Sequence, residues 1–165
     1  MLVVTDIEAM YLPQPEDLIV NLSESIDLIT SLLDSLPTLF SKTQIVDNCF
    51  VAALQAGSLL ANPIGGKLIF FQVAQTIIKH PLLAPKTANT VDRLDLVNAS
   101  NPYFINTGSE LAHQHITCDL FIFTSPSAGN SGIQNSKYKN LATMADLARK
   151  SSGNLYYYHN FSTRT

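Results

Sequence analysis

Cysteine is scarce in this chain: two residues in 165, Cys49 and Cys118, far apart in sequence. With no CxxC pair and no Cys/His cluster, neither a zinc site nor a disulfide scaffold is indicated. Both thiols read as reduced and buried. Charge is scarce too, at 14% of residues with a net charge of −3. That leaves no basic footprint for nucleic acid, so a partner is expected to be protein. Long apolar runs are also missing. The longest helix-like one, residues 50–61, is interrupted by Gln55, Gly57 and Ser58. It falls short of the ~20 residues a bilayer span requires, so no membrane crossing is expected. The opening Met-Leu-Val-Val-Thr-Asp has neither the basic segment nor the cleavage site of a secretion signal. The sequons at Asn21, Asn98 and Asn160 carry meaning only in the secretory lumen, and in a cytosolic protein they are chance.

The usual catalytic signatures are absent as well. No G-x-S-x-G elbow precedes a helix, and no GxxxxGK[ST] or GxGxxG follows a strand. Gly65-Gly66 precedes its strand, the wrong side for a phosphate loop. Asp6, Thr124, Ser125 and Ser127 fall at strand ends where doubly wound sheets bind ligands. Nothing pins them to one another, and ordinary loop and capping roles account for them. His113 and His115 are two apart, on different faces of a helix. They lack a third ligand and read as surface residues. Tyr156, Tyr157 and Tyr158 resemble an aromatic patch, but strand alternation, burying some rings and exposing others, is the favoured account. Lys79, His80 and Lys86 are a sparse, solvated basic stretch. No catalytic, cofactor-binding or metal residue is assigned, and no enzyme activity or cofactor is expected.

What is present is a core. Hydrophobic residues make up 46% of the chain, enough to fold one domain. The remaining segments pack around Gly65-Gly-Lys-Leu-Ile-Phe-Phe-Gln72. Leu68, Ile69, Phe70 and Phe71 are an unbroken apolar run bounded by glycines, which reads as a strand buried on both faces. Residues 1–6 read as an earlier strand, and Pro13 and Pro15 mark a loop. Asn21 with Glu24 makes a capping-box-like start for a helix near Leu22. Leu22, Ile26, Ile29, Leu33 and Leu36 then form a stripe expected to lie against the sheet. Pro37 should kink or stop that helix before Phe40. Asp47 or Asn48 caps a second helix, 48–60, whose small residues permit close packing. Residues 80–102 form a polar excursion with weak order. A helix at 103–115, weakened by Gly108, has Phe104, Leu111 and Ala112 inward. A buried strand at 118–123 repeats the earlier grammar and implies a parallel sheet. A flexible loop near 125–137, a helix from about 140 to 150 packing Leu141, Met144, Ala145 and Leu147, and a strand at 155–158 complete the chain.

In this order, Val3-Val-Thr-Asp6, Asn21-Leu-Ser-Glu-Ser25 leading into Leu32-Leu33 and Leu36-Pro37, Ala53-Leu-Gln-Ala-Gly57 and Gly65-Gly-Lys-Leu-Ile-Phe-Phe71 match a known set. So do Cys118-Asp-Leu-Phe-Ile-Phe123, Tyr138 with Leu141-Ala-Thr143, and Gly153 before Leu155-Tyr-Tyr-Tyr158. Together they resemble the trunk domain of the cargo-adaptor subunit of the COPII vesicle coat. Two small departures are Asn140, where that family tends to have Asp, and Ser152-Gly153 in place of a frequent Gly-Gly. The resemblance implies an α/β fold: a three-layer von Willebrand factor A-like, doubly wound sheet with helices on both faces. It also implies that the N-terminal strands are missing, so that residues 1–165 are a single partial trunk domain, expected to be poorly soluble alone. The implied role is a non-catalytic coat component on the cytosolic face of endoplasmic reticulum exit sites, peripheral to the membrane. It would pair with the coat's GTPase-activating scaffold subunit and support selection of cargo and SNARE sorting signals through the full-length parent, with no nucleic acid. Cargo-contact residues stay unknown. The alternatives are the trunk of the sister scaffold subunit and an extracellular metal-dependent A domain, although no Asp-x-Ser-x-Ser loop occurs.

Overall fold

A computed structural model describes residues 11–12, 18–43, 49–73, 102–123, 136–158 and 161; at 136–140 it describes the helical backbone only. The expected strand at 1–6, all but the last residue of the excursion expected at 80–102 and most of the loop expected near 125–137 lie outside the described residues, as do Asp6, Lys79, His80, Lys86, Thr124, Ser125 and Ser127; Pro102 and residues 136–137 belong to helices instead. The chain divides into two units, Met1–Val46 and Asp47–Thr165.

In the first unit, helix α1 spans Ile26–Leu39. It begins four residues later than the sequence pattern indicates. Ser25 is the N-cap and makes no side-chain capping bond. Asn21 acts one turn earlier: its Oδ1 accepts from Ser23 N (3.1 Å) and Ser23 Oγ (2.8 Å). The sequence signal was therefore an Asx-turn leading into the helix, which competes locally with helical capping. Pro37 lies inside α1, which continues to Leu39 and closes with Phe40 N donating to Leu36 O. Proline removes one amide but not the bonds of the residues after it. The apolar stripe exists, yet no residue of α1 is buried. Among the described residues, this unit offers only the helix, its entry turn and short flanks, so it contains no second layer to cover the stripe.

The second unit is an α/β layer. Helix α2 (Phe50–Ala61) leads into strand β1 (Gly66–Gln72); helix α3 (Pro102–His113) leads into β2 (Ile116–Phe123); helix α4 (Ser136–Lys150) leads into β3 (Leu155–Tyr158). The sheet order is β1-β2-β3. Both pairings are parallel, with Leu68 opposite Cys118 and Leu120 opposite Leu155. Helices joining parallel strands are the expected crossover geometry.

The register puts Leu68, Phe70, Ile116, Cys118, Leu120, Ile122 and Leu155 on one face, where they join the helices in a single core. Phe50 meets Phe70 edge-on (5.2 Å) and stacks on Phe104 (6.1 Å). Leu54, Leu111, Leu120 and Leu147 are completely buried. Each such side chain contributes about 1.5–3 kcal/mol relative to staying in water. Phe104 and Leu111 point inward as expected, whereas Ala112 is exposed. Gly108, expected to weaken α3, is a contact point. A Cβ there would come within 2.7 Å of Lys150 Cβ and 2.9 Å of Leu147 O, so its bareness lets α3 and α4 touch.

β1 is not buried on both faces. Leu68 and Phe70 are half-buried, but Ile69 is 52% and Phe71 69% exposed. The three described helices of this unit all contribute to the one core, so within this unit no described residue covers the opposite face. Among the described residues β3 is an edge strand, and Tyr156, Tyr157 and Tyr158 are all exposed. Cys118 is buried, but Cys49, ahead of α2, is exposed.

Candidate interaction surface

The face of the sheet opposite the core carries the side chains that alternate with the core set. At its N-terminal end, Lys67 Nζ pairs with Asp119 Oδ2 at 2.7 Å across β1 and β2. The Lys67 side chain is about half exposed and that of Asp119 almost buried. Asp119 Oδ1 also accepts from Asn154 N at 2.9 Å, tying the start of β3 to β2. The hydrogen bond from Lys67 holds the Asp119 carboxyl below its ordinary range and outweighs the desolvation that pushes it up. The same bond raises the Lys67 ammonium. Each group favours the charged form of the other.

Further along the strands the face turns aromatic. Phe71 stacks on Phe121 (5.2 Å), and Phe121 stacks on Tyr156 (4.6 Å). Phe123 stacks on Tyr158 (5.0 Å) and meets Phe161 edge-on (4.8 Å). Parallel register produces these ladders, because Phe71, Phe121 and Tyr156 are direct cross-strand neighbours. Such pairs add about 0.5–1.5 kcal/mol beyond area burial and fix the rings in rows.

Of the residues singled out from sequence, His113 ends α3 and His115 follows it at φ 58°, and both are exposed. Among the described residues, no group of three or more His, Cys, Asp or Glu is placed to hold a metal ion. No helix among them is long and apolar enough to cross a membrane. Cys118 lies on the core side, its backbone N donating to Ser151 Oγ at 3.2 Å. Burial pushes its thiol up to about 12, so it stays protonated and inert. Sequence reasoning took Tyr156 and Tyr158 one strand at a time and missed that Phe121 and Phe123 extend them into ladders. It also passed over Asp119, although an acid inside an apolar strand points to a cationic partner.

A parallel sheet with helix-strand alternation defines an α/β scaffold. The chain belongs to the Sec23/Sec24 trunk domain family, whose description it matches over residues 1–165. It is 30% identical over 168 residues to protein transport protein SEC24 A of Arabidopsis thaliana, covering 99% of this chain and 15% of that protein. Against human Sec24A the identity is 30% over 164 residues, covering 98% of this chain and 14% of that one. The crystal structure of the human COPII-coat protein Sec24c superposes with a TM-score of 0.78 at 29% identity, covering 98% of this chain and 21% of that one. The chain thus spans about one seventh of the length of these curated relatives.

Proposed function

We propose that these residues are part of the trunk of a COPII cargo-adaptor subunit, acting in protein transport from endoplasmic reticulum to Golgi. The observation that carries the reading is the family match along residues 1–165, together with relatives named as Sec24 transport proteins. Those names favour the adaptor over the sister scaffold subunit that shares the family. In this reading the longer polypeptide pairs with the coat's GTPase-activating scaffold subunit on the cytosolic face of the endoplasmic reticulum. It supports cargo and SNARE-signal selection there as a structural, non-catalytic component. The chain forms one partial domain in this reading. The apolar aromatic face suits contact with other polypeptide surfaces, since patches of this kind mark interaction sites. The test is co-purification of the full-length parent with the scaffold subunit, with human Sec24A as the positive control. Association at a comparable level is expected. Failure where the control associates, or stimulation of the coat's small GTPase by the parent itself, overturns the adaptor assignment.

A further inference from the structure

We draw no further inference here: the strongest candidate, the exposed aromatic face of the sheet around Phe71, Phe121 and Tyr156, belongs to the surface already described, and nothing in the structure shows what covers it.

Discussion

Replacing Gly153 by alanine is expected to loosen the junction of β2 and β3 more than any other single methyl group added to this chain's described glycines. A Cβ at Gly153 would overlap the carbonyl oxygen of Cys118 and lie 2.6 Å from its carbon and 3.0 Å from Asp119 Oδ1. The obstacle is backbone of the central strand, so no side-chain rotation relieves it. The turn must move instead, and with it three bonds: Gly153 N to Ala148 O (2.7 Å), Leu120 N to Asn154 O (2.8 Å) and Asn154 N to Asp119 Oδ1 (2.9 Å). Overpacking costs about 1–3 kcal/mol, and weakening two of those bonds adds about 1 kcal/mol each. The sum, about 3–5 kcal/mol, is a large share of the ~5–15 kcal/mol that holds a domain together. Gly57→Ala is the matched control. Its Cβ would meet the Leu68 side chain, nearest at the two methyls, 3.1 and 3.2 Å away. A slight side-chain shift and a gain of about 1 kcal/mol in helix propensity should nearly cancel. Hydrogen exchange at the Leu120 amide, measured in the longer parent polypeptide, reads the difference. Each 1.4 kcal/mol is tenfold, so Gly153→Ala should speed exchange by about 100-fold or more and Gly57→Ala by less than tenfold. Equal exchange in the two variants would refute the steric argument.

Ser152→Gly should act in the opposite direction. Ser152 sits at φ 61° in a Schellman turn, with Ser152 N donating to Arg149 O (3.2 Å) and Gly153 N to Ala148 O; glycine removes a left-handed strain of about 1–2 kcal/mol but gives back part of it as unfolded-state entropy. A net gain of about 0.5–1 kcal/mol in a urea titration is expected, and a loss would contradict it. The cysteines should separate cleanly: a maleimide probe should label exposed Cys49 in the native protein within minutes and Cys118 only after denaturation, as read by mass spectrometry. Native labelling of both would show the β2 core to be open. The pair Lys67–Asp119 sets a pH window. The depressed Asp119 carboxyl contributes stability above the ordinary carboxyl pKa of about 3.9 and loses it as pH falls through its lower folded value. The raised Lys67 contributes below about 10.4 and loses its share above that, through its higher folded value. Asp119→Asn should therefore lower the urea midpoint at pH 6, and the gap to wild type should close toward pH 2. A gap independent of pH would remove the ion pair from the account.

The elements that sequence located best are those whose boundaries are set by steric punctuation. Gly153 places β3 at Leu155–Tyr158 as expected, and the glycines before β1 fix its start at Gly66 within one residue. Positions decided by tertiary context were less legible. Four apolar residues from Leu68 to Phe71 are compatible with burial on one face or two, and composition does not distinguish these cases. The answer depended on where the helices lie. The stripe of α1 illustrates the same limit, since periodicity shows which face is apolar without showing what covers it. The positive φ of His115 and Ser152 was hidden because neither residue advertises a left-handed conformation as glycine does. The interaction surface was half visible. The tyrosines stood out as a triplet, but their stacking on Phe121 and Phe123 exists only through the parallel register.

The two faces of this sheet are opposite answers to one composition. On the helix side, Phe50, Phe104, Leu120 and Leu147 exclude water and fix the strands. On the other side, side chains just as apolar are ordered into rows by neighbouring strands, and their exposure runs from half-buried at Phe121 and Phe123 to 69% at Phe71. Among the described residues, the perturbed groups are all committed. Lys67 and Asp119 neutralise each other, and Cys118 is kept in its protonated form by burial. What the open face offers is pre-ordered apolar area bordered by a neutralised ion pair. Such area gains free energy by being covered, at little additional entropic cost to rings already held in rows.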